Sequence, residues 1–562
     1  MPQNFLLVSS ALVAILVSLG LKNFNDRRRR NYPPGPPPSG FITGNMKDIP
    51  DKKPWVTYNK WAKEYGLVYL YSRVVGKTLT VVVIIITGDI VHLEALGDHL
   101  ILLNNLEAAN ELLEKRSRIY SSRPYAEAGK ITGWSFHPGK CLFFSLALNS
   151  HSSLDPGLIP YSDEWRQSRR THQQIFRRLA VEEMLRPSIT LCANALVERL
   201  FEQPEKFQDH LYVYVRSARH RPNPGLNHKR NYTRYSASPV LRIMYGIVVT
   251  STDDPLLRIA VKAIHTLDEA MHPKFVTMLA WCPFIPNIPK WVPFFGPMRA
   301  FIEQTRGYID ALRNEPLKHA EEDVVGGHKL LQLAGAHNSA RKKAGRENDS
   351  IVANVLRRGI AQGGRSADEV ERIKNVASGS FVVTTFFLAM TRNPNSQAKA
   401  QKEIDEVVGR DRLPTYEDRK SLPYIEAIYR EVMRWHPPGP LGGAHMNTED
   451  DVYKDYYIPK GSLVMGNIWA ITRDERRYGP DTDAFKPERF FGADGKLNDD
   501  NLIVAFGFGR RVCAGRHLAD AVVWLTIATV LACFKINKPK DPETGKEMDV
   551  PENYSDGPGV FR

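Results

Sequence analysis

A ten-residue stretch, Phe506 to Gly515, constrains this chain more than any other segment. It reads F-x-x-G-x-R-x-C-x-G and sets Cys513 among glycines, an arginine and a phenylalanine. A cysteine acts as a metal ligand or nucleophile only as the thiolate, which nearby donors and positive charges stabilise. Glycines let a backbone come close to a sulfur and offer it amide donors, and a helix beginning at Arg516 would direct its positive end at the same atom. The pattern therefore predicts a stabilised thiolate at Cys513, although a free cysteine taken alone is most often a small buried hydrophobe.

Three further motifs precede this stretch. Trp165-x-x-x-Arg169 places an indole N–H and a guanidinium one helical turn apart, where both can donate to one carboxylate. Glu431-x-x-Arg434 pairs an acid with a base on one helix face, and Arg489 lies in a P-E-R-F segment further on. Each motif alone is weak evidence, because an ordinary surface pair of this kind contributes only about 0.2–0.5 kcal/mol. Their order along the chain carries the information.

The four motifs in this order resemble those of the cytochrome P-450 family, the haem-thiolate monooxygenases. The resemblance implies a haem b whose iron is held by Cys513, and a thiolate ligand favours O–O cleavage. It also implies a buried structural triad of Glu431, Arg434 and Arg489 behind the haem, in which loss of one partner would strand a buried charge. The residues that it implies for the haem site are Cys513 as ligand, Phe506, Gly509 and Gly515 around the sulfur, and Arg511, Trp165, Arg169 and His445 at the propionates.

The resemblance implies a fold that is mainly α-helical with small β-sheets, in one large domain after an N-terminal membrane anchor. Hydrophobic periodicity points to the same mixture of elements. Between residues 452 and 469 the pattern alternates and predicts a β-hairpin that turns at Pro459-Lys-Gly461. The predicted helices cover residues 106–115, 163–183, 185–204, 395–408 with Gly409 as the cap, 415–436 and 516–533.

The composition restricts the class of partner. The chain has 562 residues, a net charge of +14 and five scattered cysteines. An odd, scattered set of cysteines argues against a disulfide framework and fits a reducing compartment. Strong basicity suits either a nucleic acid or an anionic membrane surface. The sequence contains no recognisable nucleic-acid motif, so we expect a membrane and no nucleic acid.

The N-terminus supports the membrane interpretation. Phe5 to Leu21 is an uncharged apolar run of 17 residues, close to the lower limit for a spanning helix. A cleaved signal peptide is the alternative, but its positive charge would precede the run, whereas Arg27–Arg30 follow it. We therefore expect a single-pass anchor at residues 1–22, a basic and proline-rich linker at 23–40 and a haem-thiolate catalytic domain at 41–562. The resemblance implies the endoplasmic reticulum membrane, with the catalytic domain in the cytosol.

The function that the resemblance implies is insertion of one oxygen atom from O2 into an apolar small molecule, with electrons from NADPH through a flavoprotein reductase. One segment departs from the family. Relatives carry an acid and a threonine in the helix over the haem, whereas residues 373–390 contain no acid in the matching region and are shortened by about two helical turns. Ser378-Gly-Ser380 and Thr384-Thr385 are the hydroxyl candidates there, and neither pair is assigned a proton-delivery role. A haem-thiolate isomerase or dehydratase that uses no O2 is therefore an alternative, and an inactive haem-binding product of a defective gene model is another.

Four blocks differ in composition from their surroundings: residues 67–88, 137–154, 211–233 and 325–346. One hypothesis is that they are translated intron sequence. The alternative is that they are tolerated surface loops, because long insertions cost little loop entropy. The first block contains the run LTVVVIIIT, which favours β-aggregation unless it is paired or buried.

Overall fold

The computed structural model shows two compact units, each built from segments that are distant in sequence. It describes residues 30–124, 160–204, 238–247 and 381–550, with short gaps in the first and last of these ranges, and part of residues 254–353. Unit 1 combines Met1–Pro124 with Gly439–Arg477 and Gly507–Val512, and unit 2 holds the rest of the chain. The predictions that lie outside the described residues concern the anchor at 1–22, the first part of the linker, the blocks at 137–154 and 211–233, the second half of the block at 325–346, and Ser378–Ser380.

Helices dominate, and the strands form three small sheets, which confirms that the fold is mainly α-helical with small β-sheets. The helices are α1 (Pro54–Glu64), α2 (Leu106–Ala109), α3 (Asp163–Phe176), α4 (Arg178–Ala180), α5 (Arg186–Glu202), α6 (Ser238–Tyr245), α7 (Gly296–Ala334), α8 (Phe381–Arg392), α9 (Pro394–Val407), α10 (Pro423–Trp435), α11 (Ile468–Ile471), α12 (Glu475–Tyr478) and α13 (Arg516–Cys533). Two π-helical segments, Asn110–Lys115 and Val181–Leu185, follow α2 and α4, and the 3-10 helices are Ile285–Asn287, Tyr416–Ser421, Pro487–Phe490, Ile503–Phe506 and Gly509–Arg511. The strands are β1 (Val68–Val75), β2 (Thr78–Ile85), β3 (Ile90–Ala95), β4 (Asp98–Leu103), β5 (His445–Met446), β6 (Asp451–Tyr453), β7 (Tyr456–Ile458) and β8 (Leu463–Gly466).

Unit 1 is organised around a four-stranded sheet in the order β3-β4-β8-β5. The β4 and β8 strands are parallel, and the outer pairs are antiparallel. Ile101, Leu102 and Leu103 are fully buried, as expected of a central strand covered on both faces. Trp55 of α1 is also fully buried and packs against Trp469 of α11, with 6.4 Å between the ring centroids. This core belongs to the same unit as Gly507–Val512, the segment immediately before Cys513 in the sequence.

Unit 2 is built around α13, which follows Cys513 directly. Its sequence is apolar on nearly every face, so the helix is stable only when other helices surround it. It packs against α5, α8, α9 and α10. Among the described helices, α13 is the one long and apolar enough to cross a membrane, but most of it is buried in this way, as in the core of a soluble domain.

A buried ionic triad connects α10 to the P-E-R-F segment of unit 2. Glu431 Oε2 accepts from Arg434 Nε at 2.6 Å, and Glu431 Oε1 accepts from Arg489 Nε at 3.1 Å. The side chains of Glu431 and Arg434 are fully buried, and that of Arg489 is 6% exposed. Backbone carbonyls of Thr482 and Ala484 accept the remaining donors of Arg434. The predicted structural triad is therefore confirmed.

The predicted helix at 163–183 is interrupted. Helix α3 ends at Phe176, and Arg177 is extended, with ψ of 152°. The chain resumes as α4 and the π-helical segment before α5 begins at Arg186. The sequence hides this break, because the buried residues Phe176 and Ala180 lie four residues apart across it, as they would in a continuous helix. By contrast, α9 ends as predicted, since Gly409 has a φ of +80° and its N–H donates to the carbonyl of Ile404.

The predicted hairpin exists, but its turn was wrongly placed. Strands β6 and β7 pair across Lys454 and Asp455, which have φ values of 48° and 68°. A two-residue turn with positive φ at both positions usually takes Asn-Gly, so the sequence Lys-Asp carries no clear signal. A turn does form at Pro459–Gly461, but it leads into β8, which pairs with β4 and β5 instead.

Two of the compositionally distinct blocks are partly described. Strands β1 and β2 of the first block pair with each other in full antiparallel register, from Val68 with Ile85 to Val75 with Thr78. The N–H of Gly88 donates to the carbonyl of Ala62 at 2.7 Å, so the chain leaves and returns at one place. The block is therefore a β-hairpin whose two ends meet, as the ends of an insertion would. Residues 325–334 of the last block continue α7 rather than breaking it.

Candidate functional site

The backbone around Cys513 forms a tight loop in unit 2. The N–H of Cys513 donates to the carbonyl of Phe506 at 2.8 Å, and Gly515 is the N-cap of α13. The Cys513 side chain retains solvent access, yet protein atoms crowd its other sides. Burial raises the pKa of the Cys513 thiol, while the N–H of Gly515 and the charges of Arg169 and Arg516 act in the opposite direction. These donors and cations are the ones that would stabilise a thiolate.

The other two described cysteines lie in different surroundings. Cys192 is buried within α5, and burial raises the pKa of its thiol. Cys533 is the last residue of α13, and burial raises the pKa of its thiol as well. Of the three described cysteines, Cys513 is the one at which a backbone amide opposes the effect of burial on the pKa of the thiol. The electrostatic surroundings thus single out the same cysteine as the sequence motif.

One face of α3 presents polar groups without partners. Ser162 caps the helix by accepting from the N–H of Trp165 at 3.2 Å, and Trp165 is 4% exposed. One turn on, the Nε atom of Arg169 is buried and has no hydrogen-bond partner among the described residues. Burial lowers the pKa of Arg169, and the attraction of Cys513 offsets this only in part. Burying a guanidinium N–H without an acceptor is costly, so this position fits an anionic ligand group.

Two residues on the same face were missed by sequence reasoning. Ser168 and His172 are 3% and 4% exposed, and the Ser168 Oγ and His172 Nε2 atoms have no partner in the described part of the chain. His172 Nδ1 lies 2.8 Å from the carbonyl of Ser168, and burial lowers the pKa of the imidazole. Spacings of three and seven residues from Trp165 could have revealed both residues, because they place them on the same helix face.

Unit 1 contains its own group of nitrogen-bearing side chains around Ser121. Arg511 is 8% exposed, and its Nε donates to the carbonyl of Ser121 at 2.7 Å. His445 is buried, with Nδ1 2.7 Å from the carbonyl of Tyr120. Arg123, which the haem-site prediction did not include, donates to the carbonyls of Gly443 and Ala444. The cluster therefore carries two buried guanidinium groups.

The state of His445 limits what it can bind. Burial, followed by the positive charge of Arg123, holds the pKa of His445 well below its usual range, so the imidazole is neutral. A neutral ring that donates from Nδ1 to Tyr120 leaves Nε2 as an acceptor. A carboxyl group could therefore hydrogen-bond to Nε2 only in its protonated form. The predicted contact of His445 with a propionate stays a prediction.

Gly509 has a different role from the expected one. Its N–H donates to Glu114 Oε2 at 2.6 Å and is therefore committed to a carboxylate rather than to the sulfur. Its φ is +56°, and a Cβ added there would lie 2.1 Å from the carbonyl oxygen of Leu113. Gly509 is thus needed for close backbone packing on the π-helical turn that contains Leu113. The amide of Gly515, in contrast, acts to lower the pKa of the Cys513 thiol, and its place beside the sulfur stays a prediction.

The segment expected over the haem is described from Phe381 onward as α8. Thr385 is 5% exposed in this helix, and Thr391 donates back to the carbonyl of Phe387. An acid is absent from the whole of α8. The described part of this region therefore adds no acid–threonine pair.

Comparisons with known proteins agree with these observations. The cytochrome P450 family model matches residues 376–551. Cytochrome P450 monooxygenase ple1 of Rhodocybe pseudopiperita is 32% identical over 561 residues, covering 97% of this chain and 90% of that protein. Tryptamine 4-monooxygenase of Psilocybe cyanescens is 31% identical, covering 97% of this chain and 95% of that protein. Cytochrome P450 monooxygenase 98 of Postia placenta is 32% identical, covering 100% of this chain and 94% of that protein. This chain belongs to the cytochrome P450 family.

Membership in the cytochrome P450 family makes the chain an oxidoreductase of the monooxygenase type, with haem iron held by a cysteine thiolate as its cofactor. The residues present fit that group. Cys513 offers an accessible sulfur whose thiol pKa the amide of Gly515 acts to lower, and Arg169 offers a guanidinium whose buried Nε has no partner among the described residues. The likeness to cytochrome P450 monooxygenases extends along nearly the whole chain, whereas the family model begins only at residue 376.

Proposed function

We propose that this cytochrome P450 inserts one oxygen atom from O2 into an apolar small molecule, with electrons delivered from NADPH by a flavoprotein reductase. The observation that carries the proposal is the arrangement at Cys513. Its sulfur is accessible, the N–H of Gly515 and the charge of Arg169 act to lower the pKa of its thiol, and the buried Nε of Arg169 has no hydrogen-bond partner in the described part of the chain. This is the donor set of an axial thiolate beside an anionic cofactor.

Each predicted site residue has a role in this proposal. Cys513 ligates the iron of haem b, which supplies the O2-activating chemistry when bound. Phe506 shields the sulfur from water, and the N–H of Gly515 stabilises its negative charge. Trp165 and Arg169 donate to one propionate from α3, and Arg511 neutralises another, with His445 nearby. Gly509 acts indirectly, by fixing the backbone that leads to Arg511.

The membrane part of the proposal has separate support. We propose that residues 1–22 span the endoplasmic reticulum membrane once, that 23–40 form the linker, and that 41–562 form the cytosolic catalytic domain. The described end of the linker is attached to unit 1: Tyr32 stacks on His92 with 5.0 Å between ring centroids, and Arg30 donates to the hydroxyl of Tyr457 at 2.7 Å. A fixed linker end would restrict the orientation of the catalytic domain on a membrane surface.

A second function is favoured by one specific observation. The segment 373–390 lacks the acid that relatives place beside a threonine for proton delivery to bound dioxygen. A haem-thiolate isomerase or dehydratase needs no such delivery and no NADPH. Consumption of NADPH in the presence of a reductase and a substrate supports the monooxygenase, and substrate turnover without NADPH supports the alternative. A chain that binds haem but does neither is an inactive product.

The first experiment is the reduced, carbon-monoxide difference spectrum of the full chain and of Cys513→Ser. We expect the strongly red-shifted band of thiolate-ligated haem for the natural chain and its complete loss in Cys513→Ser, because a serine hydroxyl cannot replace the thiolate. Cys533→Ser is the matched control and should keep the band. If the natural chain lacks the band, or Cys513→Ser retains it, the assignment of Cys513 is wrong.

A further inference from the structure

The 3-10 helix Gly509–Arg511, which ends at the proposed propionate partner Arg511, is held at both of its ends within unit 1. At its start, the N–H of Gly509 donates to Glu114 Oε2 at 2.6 Å. The first N–H groups of any helix lack an acceptor inside the helix, so this carboxylate supplies one. At its end, Nε of Arg511 donates to the carbonyl of Ser121 at 2.7 Å. Both acceptors belong to the same short stretch of chain.

The acceptor at Ser121 is fixed by the central sheet of unit 1. The carbonyl of Tyr120 lies 2.7 Å from Nδ1 of His445, and the carbonyl of Ser122 accepts from the N–H of Met446 at 3.0 Å. Both partners belong to β5, which pairs with β8 in the sheet. The carbonyl of Ser121 lies between these two contacts, so it cannot shift without breaking one of them.

The acceptor at the other end, Glu114, comes from the π-helical segment Asn110–Lys115. Its backbone is held there, because Leu113 before it is buried and the N–H of Ser117 donates to its carbonyl at 3.2 Å. The carbonyl oxygen of Leu113 also approaches Gly509 so closely that a Cβ added to the glycine would lie 2.1 Å from it. The carbonyl of Leu113 therefore limits how near Gly509 can come, and the hydrogen bond to Glu114 limits how far Gly509 can move away.

We propose that Glu114 is a positioning residue for the haem site, which acts through the N–H of Gly509 to set the direction in which Arg511 presents its guanidinium. The proposal rests on the proposed function, in which Arg511 neutralises a haem propionate. A guanidinium binds a carboxylate through a planar fork of N–H groups, so its direction matters as well as its charge. Without the carboxylate of Glu114, nothing opposes outward movement of Gly509. The 3-10 helix then turns about its contact with Ser121, and the guanidinium turns with it.

The test is the rate at which haem leaves the full haem-loaded chain, measured by its transfer to excess apomyoglobin. We expect Glu114→Ala to release haem about three- to tenfold faster than the natural chain, the usual effect of losing one hydrogen bond. Glu114→Gln keeps an oxygen acceptor for the N–H of Gly509 and should recover most of the difference, although a neutral acceptor is weaker than a charged one. The matched control is Glu107→Ala. Glu107 lies on the preceding helix α2, its side chain is 76% exposed, and its ion pair with Lys454 at 3.6 Å contributes little, so the rate should not change.

A double-mutant cycle with Arg511→Gln separates positioning of the guanidinium from a general effect on stability. If Glu114 acts through Arg511, Glu114→Ala has little further effect once the guanidinium is absent. The two effects on the rate of haem release then fail to add. A merely structural role of Glu114 would give the same increase in both backgrounds, and that result would overturn the proposal. Equal rates for Glu114→Ala and the natural chain would overturn it as well.

The same variants distinguish a failure of this proposal from a failure of the proposed function. If the natural chain binds no haem, or Arg511→Gln releases haem no faster than the natural chain, the assigned role of Arg511 is wrong, and the positioning role of Glu114 is wrong with it. If Arg511→Gln releases haem faster but Glu114→Ala does not, the role of Arg511 stands and only the positioning role fails. Should Glu114→Ala not fold, Glu114→Ser replaces it, because a serine hydroxyl is too short to reach the N–H of Gly509. A natural rate of haem release in that variant contradicts the proposal equally.

Discussion

Glu431→Gln should destabilise unit 2 by about 3–5 kcal/mol, the usual effect of removing one partner from a buried ionic group. The carboxylate accepts from Arg434 at 2.6 and 2.9 Å, from Arg489 at 3.1 Å and from the N–H of Lys486 at 2.7 Å. Glutamine has the same shape but no charge, and its NH2 group would face donors. Two buried guanidinium groups would then share no counter-charge. We expect a thermal unfolding midpoint several degrees lower, measured by tryptophan fluorescence, and little soluble protein at physiological temperature.

The control is Glu488, which lies beside Arg489 on the 3-10 helix Pro487–Phe490. Glu488 also forms an ion pair, with Lys399 at 2.7 Å, but the Glu488 side chain is 49% exposed. Exposed pairs contribute about 0–1 kcal/mol, so Glu488→Gln should barely move the midpoint. Equal midpoints for the two variants would show that the triad does not contribute through its buried charge.

The buried triad contains both a contact that a sequence can predict and contacts that it cannot. Glu431 and Arg434 lie three residues apart, so their contact follows from helix geometry alone, and the P-E-R-F segment was identified through the order of the motifs. The carbonyl partners of Arg489, by contrast, lie on an irregular segment that has no periodicity to extrapolate. Long-range partners of this kind depend on the path of the whole chain.

Local geometry was least predictable where one residue departs from a regular element. The single extended residue Arg177 ends α3 without disturbing the hydrophobic spacing. The turn at Lys454–Asp455 uses positive φ at two residues that only sometimes adopt it. Arg419 and Asp520 are separated by 101 residues, so nothing in either local sequence marks their pairing. The order of the motifs predicted the chemistry well, because the motifs contain the residues that the chemistry needs. It does not show how the backbone brings those residues together.

Gly509→Ala should be the most damaging single-methyl change in the cysteine loop. The added Cβ would lie 2.1 Å from the carbonyl oxygen of Leu113 and 3.3 Å from the Cβ of Ser117, and no side-chain rotation relieves a clash with backbone. Left-handed φ costs an alanine about 1–2 kcal/mol, and overpacking typically adds about 1–3 kcal/mol. The hydrogen bond from the Gly509 N–H to Glu114 would break as the strand of chain moves away.

The variant Gly507→Ala separates the cost of left-handed φ from the cost of the steric clash. Gly507 has a φ of +86°, but the nearest atom to an added Cβ is the carbonyl oxygen of Arg511 at 4.0 Å, so this variant carries backbone strain without a clash. We expect Gly507→Ala to lose haem slightly and Gly509→Ala to lose most of it, because Gly509 lies only four residues before Cys513 and its displacement is carried along the loop. The measurement is the ratio of haem absorbance to protein absorbance after gel filtration. If the two variants keep equal amounts of haem, the contact between Gly509 and Leu113 does not hold the loop in place, and backbone strain alone accounts for the need for glycine.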